Sequence, residues 1–199
     1  KVSRQDIALA KELNCVIKLL AIGRKADDRL ELRVHPTLLS VDHPIARVSG
    51  PFNGVFLKGN CFGEMMLYGR GAGDLPTASA IMCDLITTLR QSFLSDVLIP
   101  LDFSAKAVLL EKEEISTGRF LRLELRPESK AFEAIATLLA KRSISIKAMR
   151  SLPEENGGCQ AGILTGAVRE ADVEILLQEL SALEDVLSVK GCLRTELAL

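Results

Sequence analysis

The sequence predicts an α+β protein in which antiparallel β-hairpins precede a βαββαβ arrangement of residues 118–199. The period-two alternation from Leu30 to Val34 is typical of a strand with one buried face. Apolar residues recur at helical spacing between Ile81 and Leu89. After residue 118, predicted elements follow in the order strand, helix, strand, strand, helix, strand. We therefore expect an antiparallel or mixed sheet, followed by an antiparallel sheet that carries two helices.

A capped helix and a hairpin open the chain. Ser3 can accept a hydrogen bond from the backbone N–H of Asp6, which predicts a helix that begins there and ends near residue 14. The hairpin has strands at 15–22 and 30–34 around a turn at 26–29. Its alternation predicts that Glu31 and Arg33 face water, opposite a buried apolar face.

Both histidines occur in residues 35–51, which are predicted to be mostly loop. They form the pairs His35-Pro36 and His43-Pro44, and each proline favours extended geometry at its histidine. A histidine relay or metal pair is one interpretation, and a structural role is the other. Because no third ligand is near in sequence, we assign no metal site.

A second hairpin precedes a glycine-rich loop and a helix. Strands 52–57 and 61–68 flank a turn at 58–60, and the loop Tyr68-Gly-Arg-Gly-Ala-Gly73 leads to a helix from Pro76 to about residue 93. Residues 94–117 are interpreted as a connector, with a solvated charge run at 111–114.

Residues 118–199 have the more regular pattern. The predicted elements are strand 119–125, helix 130–141, strand 144–151, turn 154–158, strand 160–168, helix 170–181 and strand 186–195. An open edge strand of such a sheet readily pairs with a second copy, so we expect a homo-oligomer.

Composition narrows the class of protein. The 25 basic and 26 acidic residues leave a net charge of −1 with few aromatics, which argues against a nucleic-acid surface. No apolar run is long enough for a membrane span, and residues 1–11 lack the apolar region of a signal peptide. Five cysteines without a C-x-x-C pair fit a reducing, cytoplasmic location, where each is expected to be a small buried apolar residue. The absence of an initial methionine suggests a piece of a longer polypeptide.

The glycine-rich loop suggests an anion site. Gly69, Gly71 and Gly73 permit positive φ and close backbone approach, and the following helix places about half a positive charge at its N-terminus. The pattern is neither a Walker A loop nor G-x-G-x-x-G, so a tight turn without a ligand is the alternative. A helix terminus contributes roughly 0.3–1 kcal/mol to an anion, whereas micromolar binding needs about 8 kcal/mol. The loop therefore cannot hold a dinucleotide unaided.

Several motifs together resemble the substrate domain of homoserine dehydrogenase. They are Asp6-Ile-Ala-Leu-Ala-Lys-Glu-Leu13, Val16-Ile-Lys-Leu-Leu-Ala-Ile22, Arg33-Val-His-Pro-Thr-Leu38, His43-Pro44, Phe52-Asn53, Gly63-Glu64 and Tyr68-Gly-Arg-Gly-Ala-Gly73 with Pro76-Thr-Ala-Ser79. The resemblance covers 1–93, while 118–199 resembles an ACT regulatory domain, which is ferredoxin-like. Together, these resemblances imply three segments: substrate domain 1–93, connector 94–117 and ACT domain 118–199.

The resemblance implies an enzyme that interconverts L-aspartate 4-semialdehyde and L-homoserine with NAD or NADP, for threonine and methionine synthesis. It places Gly73 first, then Gly71 and Gly69, as cofactor contacts. The family's catalytic lysine and dinucleotide fold precede this segment, so no catalytic residue is assigned here, neither Lys18 nor Glu64. The segment alone is expected to be inactive.

The ACT resemblance has one departure. Members that bind an amino acid usually carry a glycine in the first strand-to-helix turn, whereas this turn reads Leu125-Arg-Pro-Glu-Ser-Lys130. A threonine effector and a mainly oligomerising role, as dimer or tetramer, are both left open. The alternative functions are a stand-alone ACT-type module without catalysis and an inactive paralogue.

Overall fold

The computed structural model describes residues 2–92, 106–126, 130–153 and 158–197. The helices are α1 (Arg4–Glu12), α2 (Asp74–Ser92), α3 (Ala131–Lys141) and α4 (Glu170–Ser181). The strands are β1 (Cys15–Ala26), β2 (Arg29–Ser40), β3 (Phe52–Gly59), β4 (Gly63–Arg70), β5 (Val108–Leu109), β6 (Ser116–Leu125), β7 (Ile146–Pro153), β8 (Cys159–Arg169) and β9 (Val186–Glu196). Short 3-10 helices lie at Pro44–Arg47 and Lys112–Glu114. The predicted α+β class is confirmed.

The chain forms two compact units. One consists of residues 1–42 together with 107–199, and the other of residues 43–106. The three predicted segments were defined by family resemblance and stay a prediction, and they differ from these compact units. The predicted connector lies partly outside the described residues, and its last part contributes β5 beside β2.

The larger unit is built on one mixed sheet with the strand order β1-β2-β9-β6-β8-β7. Its four C-terminal strands are antiparallel, and with α3 and α4 they follow the predicted βαββαβ order. The first hairpin joins this sheet because β2 pairs in parallel with β9, from Thr37 opposite Arg194 to Leu39 opposite Glu196. The first and last parts of the chain therefore share one sheet.

Each face of the sheet carries its own core. α3 and α4 cover one face through a cluster that includes the fully buried Leu121, Ile135 and Leu176. α1 covers part of the other face, where Leu9 packs with Phe120. Because burial of such side chains contributes about 1.5–3 kcal/mol each, both faces stabilise the sheet.

α1 begins as predicted. The Ser3 hydroxyl accepts from the Asp6 backbone N–H, while the Asp6 carboxylate accepts from the Ser3 N–H at 2.7 Å. The same carboxylate accepts from Arg122 Nε of β6 at 2.6 Å, and both side chains are buried. Burial alone would raise the pKa of Asp6, but the hydrogen bonds from Ser3 and Arg122 outweigh it and lower the pKa. This ion pair fixes the helix on the sheet.

The predicted faces of the first hairpin are wrong. Glu31 and His35 are buried and Arg33 is half-buried, whereas Leu32 and Val34 are 58% and 70% exposed. The polar side is buried because its charges are paired: Glu196 of β9 accepts from both Arg24 and Arg33. The apolar side of the hairpin is the solvent-exposed side.

The predicted loop at 35–51 is also wrong in its first part. β2 continues to Ser40, with Pro36 opposite Leu19 of β1. Proline removes one N–H from a ladder, but it does not prevent the extended geometry that β2 requires. The 3-10 helix then begins where His43 Nδ1 accepts from the Ile45 backbone N–H at 3.1 Å.

The smaller unit contains the β3–β4 hairpin and α2. Among its described residues only Ile45 is buried. The apolar stripe of α2 is exposed, with Ile81 at 61% and Leu89 at 54%. Leu67, on the hairpin, is 56% exposed. This unit therefore has abundant apolar surface and little core of its own.

The cysteines differ from the expectation of uniform burial. Cys15 is buried, Cys159 and Cys192 are half-buried, and Cys61 and Cys83 are exposed. All five are free thiols.

In the part of the chain that the structure describes, no helix combines the length and apolar character needed to span a bilayer.

Candidate functional site

The glycine-rich loop connects β4 to α2 within the smaller unit. β4 ends at Arg70, residues 71–73 turn, and α2 begins at Asp74, two residues before the predicted start. The Gly71 N–H donates to Pro51 O at 3.1 Å, which ties the loop to the entry of β3. The loop therefore connects a strand directly to a helix N-terminus, as the sequence predicts.

The three glycines differ in whether the structure requires them. Gly73 has φ +121°, which L side chains rarely adopt, so the predicted positive φ holds at this position. Gly71 has ordinary φ, but a Cβ there would lie 1.7 Å from Asn53 Nδ2. A Cβ at Gly69 would have no heavy atom within 4 Å. Gly73 and Gly71 thus have internal structural reasons, whereas Gly69 faces open space.

An aromatic and cationic stack lies beside the loop. The rings of Phe52 and Tyr68 are stacked with centroids 4.8 Å apart and an interplanar angle of 10°. The Arg70 guanidinium lies 5.3 Å from the centroid of the Phe52 ring. This cation–π contact limits the positions of the positive charge next to the glycines. Phe52 and Asn53 were noted in the sequence only as motif residues, and no local pattern indicates these contacts.

The fit of the loop to an anionic dinucleotide is partial. The N-terminus of α2 and the Arg70 side chain are positive, and Gly69 leaves room for close approach. Three features oppose tight anion binding: Asp74 adds a carboxylate in the first turn, Pro76 lacks an N–H, and the Thr77 N–H and hydroxyl both donate to Gly73 O. The loop fits one contact with a cofactor rather than the main site, and its role stays a prediction.

The other residues considered for chemistry have structural partners or positions. Glu64 forms an exposed ion pair with Lys58 at 3.3 Å, and Lys18 lies in β1. His35 Nε2 contacts Arg33 Nη1 at 3.0 Å, and its Nδ1 contacts Thr37 Oγ1 at 3.0 Å. Across the described ranges, no cluster of three His, Cys, Asp or Glu side chains could hold a metal ion.

A buried charge network lies where the first hairpin meets β9. Arg33 donates to Glu31 and to Glu196. Burial is the main cause that lowers the pKa of His35; the Pro36 carbonyl opposes this, and the charges of Arg194 and Arg33 add to it. His35 is therefore neutral near neutral pH. The sequence predicted Glu31 and Arg33 on a wet face, so this network was missed.

Comparisons with known proteins give consistent matches to the fold described above. A family model described as homoserine dehydrogenase matches residues 1–86. Homoserine dehydrogenases from Bacillus subtilis and Synechocystis sp. are 30% and 34% identical over 98% and 97% of the chain, which covers 46% and 47% of their lengths. The crystal structure of a homoserine dehydrogenase from Thiobacillus denitrificans is 34% identical with a TM-score of 0.83, over 98% of this chain and 46% of that one.

The α+β fold, with its glycine-rich strand-to-helix loop, thus corresponds to one part of the longer dehydrogenases compared above. The chain spans less than half the length of the curated relatives described above. It belongs to the homoserine dehydrogenase family.

Proposed function

We propose that the complete protein is a homoserine dehydrogenase that interconverts L-aspartate 4-semialdehyde and L-homoserine with NAD or NADP. The observation that carries the proposal is the 34% identity to the Thiobacillus denitrificans homoserine dehydrogenase over 98% of this chain, with a TM-score of 0.83. This chain forms the C-terminal portion of the enzyme. Its product serves threonine and methionine synthesis, as the family name implies.

The glycine-rich loop contributes a secondary contact to the cofactor. The cofactor, when bound, accepts or supplies the hydride of the reaction. Arg70 offers a guanidinium to an anionic group, and the backbone at Gly69 and Gly73 permits close approach. Because Phe52 contacts that guanidinium, less side-chain freedom is lost on binding. The loop thereby orients a ligand that other residues hold.

The rest of the protein supplies the dinucleotide fold and the acid/base group. The relatives are more than twice as long as the matched segment. In addition, α2 and the β3–β4 hairpin expose apolar side chains that a single compact protein normally covers. We propose that the cofactor domain packs on part of this surface.

Activity of the complete protein tests the proposal. With L-homoserine and NAD or NADP, we expect formation of reduced nicotinamide, which is followed by absorbance. The same assay on residues 1–199 alone is expected to show no turnover. Absence of homoserine-dependent reduction in the complete, folded protein would contradict the proposed function.

The cofactor contact has its own test. Arg70→Ala should raise the cofactor KM at least about ten-fold, because one charge-assisted hydrogen bond contributes about 1.5–3 kcal/mol. The homoserine KM should change little. Arg47→Ala is the matched control, since Arg47 is an exposed arginine of the same unit. Equal cofactor KM values in both variants would remove Arg70 from the site.

We also propose that residues 118–199 form an ACT-type regulatory domain. The βαββαβ element order and the strand order β9-β6-β8-β7 support this proposal. The first strand-to-helix turn, where the expected glycine is missing, lies at 127–129, outside the described residues. Calorimetry of L-threonine with the complete protein tests the effector role, and measurable heat that saturates would support it. A stand-alone module without catalysis is the alternative, and the dehydrogenase assay distinguishes the two.

A second copy of the chain is the proposed partner. One edge of the βαββαβ sheet, β9, is already paired with β2, so β7 is its open edge. The exposed side of the first hairpin, with Leu19, Leu32 and Val34, offers a larger apolar surface. We expect sedimentation velocity to show a dimer or tetramer and Val34→Glu to shift it toward monomer. A wild-type monomer at high micromolar concentration would contradict this.

A further inference from the structure

A cavity of about 390 Å³ lies at one end of the large sheet, away from the glycine-rich loop in sequence. Its walls come from the start of β6 and β7, the ends of β8 and β9, and Arg24 of β1. Its size is in the range of small-molecule sites. Because the hairpin and the C-terminal strands both contribute, a ligand there would contact the two parts that share the sheet.

The charged side chains of the cavity leave an excess positive charge. They are Arg24, Lys147 and Glu196. The Glu196 carboxylate is neutralised by Arg24 and also by Arg33, which is not part of the cavity wall. Lys147 is exposed, and no ion pair joins it to a described residue. One ammonium group is therefore available for an anion.

Irregular strand pairing shapes the same end of the sheet. The β7–β8 register shifts between Ile146 and Ala148, so Lys147 occupies the irregular position. The β6–β8 register shifts between Gly118 and Phe120, and Gly118 also lines the cavity. Bulges re-aim side chains and are frequent beside functional sites. Here they coincide with the cavity.

A buried hydroxyl in the cavity wall has no partner. Thr117 is 4% exposed, and no described group accepts from or donates to its Oγ1. The neighbouring Thr165 is different: its Oγ1 accepts from the Arg119 N–H at 3.1 Å and donates to Gly166 O at 2.8 Å. A buried polar group without a hydrogen bond is destabilising. Because this oxygen is shielded from solvent, a ligand acceptor would reach it only after a local shift of the cavity wall.

We propose that this cavity is a binding site for a small carboxylate. Lys147 pairs with the carboxylate, Arg24 adds positive charge from the hairpin side, and the Thr117 hydroxyl donates to a ligand oxygen. The ACT resemblance would place an effector at the β6–α3 turn. The proposed site is separate from that turn and lies at the opposite end of β6. The proposal does not depend on dehydrogenase activity.

Threonine-methyl NMR of the complete protein provides the test. Acetate, succinate and L-threonine are titrated separately, with the methyl resonances of Thr117, Thr165 and Thr195 as reporters. We expect at least one probe to shift them with a saturable curve. No saturable shift from any of the three up to about 10 mM, the weak limit of specific binding, would overturn the proposal.

Three variants assign the contacts. Lys147→Ala should raise the dissociation constant about ten-fold, whereas Lys25→Ala, an exposed lysine of β1 outside the cavity, should leave it unchanged. Thr117→Val keeps the shape of the side chain and removes the hydroxyl, so it should weaken binding without lowering the unfolding temperature of the ligand-free protein. Wild-type affinity in both Lys147→Ala and Thr117→Val would place the ligand elsewhere.

Discussion

The ion pair between Asp6 and Arg122 should be a main attachment of α1 to the sheet. Asp6 is 2% and Arg122 8% exposed, so removing one partner leaves the other buried without its counter-charge. Such a change costs about 3–5 kcal/mol. For Asp6→Ala we expect about 3 kcal/mol, because Arg122 keeps hydrogen bonds to Gln160 at 3.1 Å and Lys190 O at 3.4 Å. That is a large share of a typical stability of 5–15 kcal/mol.

The reverse change should cost less. In Arg122→Met the Asp6 carboxylate keeps two donors, the Ser3 N–H at 2.7 Å and the Ser3 hydroxyl at 2.8 Å. We expect about 2–3 kcal/mol. The double variant should cost less than the sum of the two by about 1–2 kcal/mol, since neither charge is then left alone.

Urea unfolding followed by far-UV circular dichroism measures these free energies, since the chain has no tryptophan. Glu12→Ala, an exposed acid on the same helix, is the control and should change stability by less than about 0.5 kcal/mol. A cost below about 1 kcal/mol for Asp6→Ala, or strict additivity in the double variant, would refute the reasoning.

Three further outcomes are expected. Gly71→Ala should lower the free energy of unfolding by about 1 kcal/mol, because its Cβ would displace the exposed Asn53 side chain, whereas Gly69→Ala should stay within about 0.5 kcal/mol; equal effects in thermal unfolding would contradict this. The lowered pKa of His35 means that its contribution to stability is complete above the unfolded pKa of about 6.5 and is lost as pH falls from there through the folded pKa. His35→Gln should therefore flatten the fall in stability below about pH 6.5, and an unchanged slope would show that another group titrates. Residues 118–199 expressed alone should unfold at a lower temperature than the complete chain, because they lose the pairing with β2, and an equal unfolding temperature by circular dichroism would argue for an independent domain.

The regular part of the fold was predictable because its cues are local. The capping box at Ser3 and the periodicity of the two C-terminal helices lie within short stretches of sequence. The orientation of the first hairpin was not predictable, because it depends on Glu196. This residue lies near the other end of the sequence and pairs with Arg24 and Arg33 of the hairpin. Alternation shows that a strand has two faces, but the partner decides which one is buried.

The loop was predictable in outline and not in detail. Three glycines before a proline indicated a strand-to-helix turn, and Gly73 has the positive φ expected of one of them. The separate reason for Gly71 required Asn53, which the β3–β4 register pairs with Gly69, two residues earlier in the chain. Likewise, the contact of Arg70 with Phe52 follows from strand pairing rather than from any motif.

The distribution of exposed and buried thiols allows one unit of the protein to be labelled selectively. Cys61 and Cys83 are exposed and both lie in residues 43–106, whereas Cys15 in the other unit is buried. A maleimide dye should consequently react first with the smaller unit, without engineered attachment points. Fluorescence from such labels would report whether the apolar surface around α2 is covered in the complete protein.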